Sequence, residues 1–485
     1  MTYAYETRGQ WIGGAWVPSR GGGSEDVVSP ATGAVIGKLI TGTTRDVDDA
    51  VESATSAAAV LATMTPFERA KLCFKIAESI EKRKEALAKL LSLEQGKPLH
   101  SEAYAEVGEA AECFRLWGEE AKRIQGAVHT SADANKRILT IRQPRGVYAV
   151  ITPWNWPLTM PAELLAPALA AGNSVVWVPA PTTSLTAALL AECIAEAELP
   201  KGAVNLVMGH GPVVGDAVAA HPGTRGIAFI GSTVTGEKVA TRGAGKALLL
   251  ELGGNGPFVV CHDADLDRAA QGAAIGAFLC AGQSCAAAGR ILVDARVAKP
   301  FCEKLVAEVQ RIKLGDPADP ATTMGPVNNT ATADKTERHV NDAVAKGAKL
   351  VTGGKRKPGM PTPLYFEPTI LENVTPNMQV FSEETFGPVA PITTFTTEEE
   401  LIALADLGHH GLVAAVYTRD LARSVRLAER IRCGVVNVNE STNYWELHVP
   451  YGGVRRSGIG RIGGQRSLDE MSEVKTIILD VRGNS

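Results

Sequence analysis

No run of about 18 unbroken apolar residues, the length a helix needs to cross a bilayer, occurs in the sequence, so no membrane partner is expected. The first residues, MTYAYETRGQWIGG, lack a basic stretch followed by an apolar one, and the expectation is an unexported, cytoplasmic protein. No Lys/Arg block stands out: 49 basic against 53 acidic residues leave a formal charge of −4, which offers a phosphate backbone nothing to grip. Nucleic acid is thereby excluded as an expected partner. The eight cysteines (73, 113, 193, 261, 280, 285, 302 and 433) form no C-x-x-C pair and have no histidine at ligand spacing. Neither a disulfide framework nor a metal site is expected. Aromatic residues are few, 11 Phe, 8 Tyr and 7 Trp against 49 Gly, which describes small-residue packing and many tight turns.

What is present is enough chain for large cores: 485 residues, at about 150 per domain, give about three domain equivalents. Gln10 to Val17 reads as β structure around a Gly13-Gly14 turn. Thr65-Pro66-Phe67-Glu68 is a capping box with proline at the first helical position, and Leu72, Ile76 and Ile80 repeat at i+4 behind it. Ser101 is placed to cap a further helix ending near Ile124, after which Thr130 to Arg142 is polar, mixed and ribbon-like. From Gly146 the pattern changes. Apolar runs at Val147–Ile151, Ser174–Val178, Val204–Met208, Ile227–Ile230 and Ala247–Leu252 alternate with helical segments, as in a parallel sheet covered on both faces. A second α/β series follows from Pro257, and more of that pattern runs from Lys349 to Val438.

Two glycine-rich turns need weighing. Gly209-His-Gly211-Pro-Val-Val-Gly215 follows a strand and opens a helix, but its third glycine comes one residue late for a dinucleotide fingerprint. Gly231-Ser-Thr-Val-Thr-Gly-Glu237-Lys resembles a phosphate loop, yet Glu237 stands where that loop needs lysine, which disfavours a nucleotide triphosphatase. Backbone N–H groups at a helix start after Ile230 still suit a pyrophosphate; the bland reading is an ordinary Gly/Ser turn.

Six ordered motifs decide between these readings. Pro153-Trp154-Asn155-Trp156-Pro157, Phe229-Ile-Gly231-Ser232-Thr with Gly236, Glu251-Leu252-Gly-Gly-Asn255, Gly282-Gln-Ser284-Cys285, Glu384-Thr-Phe386-Gly-Pro388 and Pro450-Tyr451-Gly-Gly453 together resemble the aldehyde dehydrogenase superfamily. The resemblance spans nearly the whole chain. It implies a Rossmann-type NAD(P)-binding domain (1–125 and 143–252), an α/β catalytic domain (253–452) and a small β-ribbon (126–142 and 465–485) that joins subunits into a homodimer or homotetramer.

The resemblance makes Cys285 the nucleophile, where a cysteine in Ala-rich surroundings would otherwise read as an inert hydrophobe. It makes Glu251 the general base for Cys285 or for the water that hydrolyses a thioester, and Asn155, which would otherwise merely cap a helix, an oxyanion donor. Cys280 matches no motif position and reads as packing. Cofactor contacts are implied for Trp154, Ile151, Pro153, Val178, Gly211, Gly215, Phe229, Gly231, Ser232, Leu252, Glu384 and Phe386. One departure matters: where the family commonly has Lys-Pro-Ser-Glu to grip the adenosine ribose, this chain has Val178-Pro-Ala-Pro181. Losing the cation removes a phosphate partner and losing the anion removes a repulsion, so the balance leans to NAD over NADP.

A substrate pocket is expected from Trp156, Met160, Glu163, Ser284, Trp445 and Tyr451. Relatives that oxidise carboxylate-bearing aldehydes often have arginine where Glu163 stands, so a pocket-facing glutamate would repel such substrates. Aliphatic or aromatic aldehydes suit the apolar members, whereas the polar segment Glu440–His448 leaves a hydroxylated or amino-bearing aldehyde open. The competing functions are a CoA-acylating relative, against which Glu251 argues, and a non-catalytic binding protein.

Overall fold

The computed structural model describes residues 5–6 and 9–482. Two mainly parallel sheets carry the chain. In the first, neighbouring strands run in the order Gly458–Ile459, Ala247–Glu251, Gly226–Ile230, Val147–Ile151, Ser174–Val178, Val204–Leu206, Gln10–Ile12 and Ala15–Val17. The central strands pair in parallel, and the additions at both edges are antiparallel. Val147–Ile151, Ser174–Val178 and Gly226–Ile230 are apolar without alternation because helices cover both faces of the sheet, as the continuous runs predict. The strand order reverses between Val147–Ile151 and Gly226–Ile230: the chain builds outward on one side, then returns to build on the other. Crossover helices leave in opposite directions there, which opens a crevice beyond the carboxyl ends of Ile151 and Ile230.

The second sheet orders Lys349–Thr352, Thr369–Glu372, Val389–Phe395, Arg290–Asp294, Pro257–Val260, Val413–Tyr417 and Val435–Val438, parallel except at the first edge. A third element is the antiparallel ribbon of Ser472–Asp480, Lys136–Pro144 and Ala127–His129. Its apolar side chains stay bare: Val128 is 77% exposed, Ile478 63% and Val474 58%.

The Thr65 capping box forms as expected, with Pro66 opening the helix Pro66–Lys82. Ser101 does not cap. Leu99–Ala103 makes a π-helical turn, and the helix Tyr104–Ala121 follows without a side-chain cap, because Leu99 N–H is taken by Pro317 O and Glu102 and Ala103 are drawn into the interior. The tail is likewise not ribbon throughout: Gly464–Glu470 is a helix against Tyr104–Ala121 and Thr159–Ala171, anchored by buried Leu468, and the strand starts at Ser472. Among the described residues no helix is long and apolar enough to cross a membrane.

Candidate active site

The crevice at the reversal point deepens into a cavity of about 480 Å³ whose walls come from strand ends of the first sheet and from loops and a helix that accompany the second. Cys285 reaches it on a loop after the helix Leu266–Phe278, and it is the cysteine among the lining residues. The loop enters through three consecutive left-handed residues, Cys280 (φ 52°), Ala281 (φ 53°) and Gly282 (φ 73°). Non-glycine residues in that region cost about 1–3 kcal/mol each, so the surroundings must enforce them. Gln283 does so: its Nε2 donates to Cys280 O at 2.8 Å and its Oε1 accepts from Asn328 N at 2.8 Å. A Cβ on Gly254 would fall 2.0 Å from Cys285 O, which is why glycine follows the Glu251 strand here.

The three expected chemical groups meet in this cavity. Cys285 Sγ lies 3.8 Å from Tyr451 Oη. Burial pushes its thiol up to about 12, with the carboxylates of Glu251, Glu384 and Glu163 adding to the rise and the Tyr451 contact opposing it. Glu251 ends its strand with 4% exposure, and neither carboxyl oxygen has a hydrogen-bond partner among the described residues. Burial, reinforced by Glu163 and opposed by Arg461, holds this carboxyl well above the usual range.

Asn155 sits in the loop before the helix Thr159–Ala171, not at its cap. Its Nδ2 donates to Gln283 O at 3.0 Å, and the helix-start N–H groups of Leu158 and Thr159 go instead to Glu106 Oε1. Glu106 also pairs with Lys97 at 2.5 Å, both side chains being almost wholly buried, and Lys97 Nζ donates to Asn155 O at 3.0 Å. One buried ion pair thus fixes the backbone of Asn155. Lys97→Met would leave Glu106 charged and unpaired in the interior, a loss of about 3–5 kcal/mol. A thermal melt should show a clearly lowered Tm, partly restored when Glu106→Gln is added.

Of the residues expected to contact a cofactor, Ile151, Pro153, Trp154, Phe229, Gly231, Ser232, Leu252, Glu384 and Phe386 line the cavity. Trp154 and Phe386 meet edge to face at 5.5 Å, Phe386 itself holding φ 60°. Glu384 Oε1 accepts from Gly254 N at 2.9 Å, and burial pushes its carboxyl up to about 7 against the pull of Lys335. Ser232 caps the helix Thr233–Arg242, its Oγ accepting from Thr235 N. Val178, Gly211 and Gly215 do not line the cavity. Val178 packs into the core beneath the sheet, and Gly211–Gly215 is a π-helical turn that leads into the short α-helix Asp216–Ala220. Ala180 and Pro181 do line it, offering neither cation nor carboxylate.

On the other side, Trp156, Met160, Glu163, Ser284, Trp445 and Tyr451 line the wall as expected. Met160 and Glu163 are one turn apart and share a helix face. Trp156 and Trp445 meet edge to face at 6.1 Å, and Ser284 Oγ donates to Asn443 Oδ1 at 2.7 Å. Sequence reasoning missed Thr332 and Lys335, which reach the cavity from the helix Thr330–Ala345. Nothing local marks them; the only signal was that buried Glu384 needs a cation.

Comparison with known proteins gives the same assignment. The model of the aldehyde dehydrogenase family matches residues 16–477. The chain is 40% identical to a mitochondrial succinate-semialdehyde dehydrogenase of rice, over 96% of this chain and 88% of that protein. It is 39% identical to a glutarate-semialdehyde dehydrogenase of Pseudomonas aeruginosa, over 97% of each. A crystal structure of an aldehyde dehydrogenase from Brucella melitensis superposes with a TM-score of 0.95 at 38% identity, covering 98% of both chains. With Cys285, Glu251 and Asn155 lining one cavity, the chain belongs to the aldehyde dehydrogenase family and is an oxidoreductase that oxidises aldehydes with NAD or NADP.

Proposed function

We propose that this chain converts its aldehyde to a free carboxylic acid through a covalent adduct on Cys285 Sγ that water resolves under the control of Glu251. The observation that carries this is the Glu251 carboxyl: buried, without a protein partner, and in the same cavity as the only lining thiol. Hydride cannot leave a planar carbonyl, so the sulfur must first make the carbon tetrahedral. Sγ bonds to the carbonyl carbon as its proton passes to Glu251, and the carbonyl π pair moves onto oxygen. Asn155 spends one N–H on Gln283 O and has a second for that oxyanion, a donor of a kind worth about 10²–10³ in rate. A nicotinamide held by Trp154, Glu384 and Phe386 would supply the acceptor for the hydride, leaving the acyl group on Cys285 as a thioester. Glu251 passes the thiol's proton to solvent and then takes a proton from water as the hydroxide oxygen bonds to the acyl carbon; the C–S bond breaks, the departing sulfur regains a proton from Glu251, and the acid leaves with Cys285 restored.

The residues present fit a nicotinamide cofactor. Trp154, Phe386 and the buried Glu384 surround one arm of the cavity, and Gly231 and Ser232 open a helix at another. Among the lining residues the single lysine, Lys335, is drawn to Glu384, and Val178-Pro-Ala-Pro181 adds no charge. The extra phosphate of NADP would therefore lose water without gaining a cation, and NAD is the preferred cofactor. Comparison of kcat/KM should favour NAD by about tenfold or more, equivalent to about 1.4 kcal/mol; a tenfold preference for NADP reverses the assignment.

Water rather than CoA is the acyl acceptor because the base stands ready for it. An aldehyde panel followed by reduced-cofactor absorbance, with the acid product measured in the absence of CoA, tests the whole reading. The bare apolar residues of the ribbon support assembly into a homodimer or homotetramer through that element.

A further inference from the structure

The helix Thr159–Ala171 is buried along almost its whole length, and at its second turn it carries an acid, Glu163, 4% exposed and facing the cavity. No hydrogen bond reaches the Glu163 carboxyl among the described residues. Its charged neighbours make matters worse: Glu109 lies beside it, satisfied only by Thr159 Oγ1, and Glu251 stands across the cavity. The cations nearby are committed elsewhere. Lys97 donates to Glu106 and Asn155 O behind Trp156, Arg461 donates to Gly453 O and Gly460 O, and Lys335 faces Glu384. Ionising a buried carboxyl without a partner costs several kcal/mol, a cost that an apolar residue at this position would avoid and a seated cation would offset. In the absence of a cation, burial and Glu109 push Glu163 up to about 8, so the empty site keeps the proton.

We infer that Glu163 is the anchor for a cationic group at the far end of the substrate, and that the aldehyde class taken by this chain carries an amine or quaternary ammonium rather than a carboxylate. Trp156 and Trp445 complete the seat, because aromatic faces attract ammonium groups and add to the charge of Glu163. This assignment rests on the oxidation reading above for its chemistry, and it departs from the two relatives whose names specify succinate and glutarate semialdehydes. A substrate carboxylate would meet acids, not a free cation, on this wall.

The test compares chain-matched aldehydes: aminobutanal and its trimethylammonium analogue, pentanal as the neutral form, and succinic semialdehyde as the anion. The expected order of kcat/KM is cationic over neutral by about tenfold or more, with the anion last. Glu163→Gln should bring the cationic-to-neutral ratio close to one, acting through the KM of the cationic substrate. A ratio near one in the unaltered enzyme, preference for succinic semialdehyde, or a ratio unchanged in Glu163→Gln while both rates fall would overturn the assignment; the last would make Glu163 a positioning residue for Glu251. Calorimetry of butylammonium against the enzyme, with and without Glu163→Gln, reads the cation seat without turnover. If no aldehyde is oxidised yet butylammonium binds only when Glu163 is present, the oxidation reading fails and the seat stands.

Discussion

Replacement of Cys285 by alanine is expected to abolish aldehyde oxidation while cofactor binding persists. The change removes one sulfur from a cavity wall and disturbs no hydrogen-bond network, since among the described residues the only partner of Sγ is Tyr451 Oη at 3.8 Å. No second thiol can substitute. Cys280 is five positions earlier, but it is 2% exposed and its Sγ accepts from Gln95 Nε2 at 3.5 Å, turned away into the interior. Without the sulfur the aldehyde carbon stays planar and hydride has no route out, so the loss in kcat belongs to the nucleophile class, of order 10⁴–10⁶-fold. Calorimetric titration with NAD should give a Kd close to that of the unaltered chain, because the walls formed by Trp154, Glu384 and Phe386 are untouched. Retained turnover in Cys285→Ala would remove the covalent step from the mechanism.

How far such a site is legible in the sequence depends on whether the contact is local. The strand ends at Ile151, Ile230 and Glu251 are visible because continuous apolar runs give way to Gly, Pro and Ser, and the parallel order then places those ends side by side. Cys285 and Glu384 were recognisable only through motifs, since a buried cysteine or glutamate has no periodic signature. Three features escaped. The cap of the helix after Asn155 is one: Asn before an apolar run usually caps, but Glu106 reaches across from another helix and takes that role, leaving Asn155 to the oxyanion part that its motif implies. Gly211 and Gly215 looked like a cofactor turn, whereas local winding makes a π-helical turn there. Lys335 carries no local mark, because its importance comes from a charge about fifty residues away in the chain. Pairings across elements are where pattern reading fails, and they are what hold this cavity together.

Glu251→Gln should separate the two halves of the reaction. Hydride departure needs the adduct on Cys285, which still forms with the aid of bulk base, so the first turnover delivers reduced cofactor as a burst close to one equivalent per site. Hydrolysis then stalls: the amide cannot take a proton from water, and the steady-state rate falls by the 10²–10⁴-fold typical of a lost general base. The acyl-enzyme should accumulate and appear as an added acyl mass on the intact protein. The pH dependence follows from the same residue. Burial and the neighbouring Glu163 raise the Glu251 carboxyl far above the ordinary carboxylate range, so it is protonated and inert at low pH, and the deacylation rate climbs as pH rises through that elevated value. Glu163→Gln removes the like charge that contributes to the rise, which should move the ascending limb to lower pH; Glu251→Gln should abolish that limb. A Glu251→Gln enzyme that turns over at the normal rate, with no burst and an unaltered pH profile, would require another base, and Glu163, the other 4%-exposed carboxyl on the cavity wall without a hydrogen bond among the described residues, would be the one left to supply it.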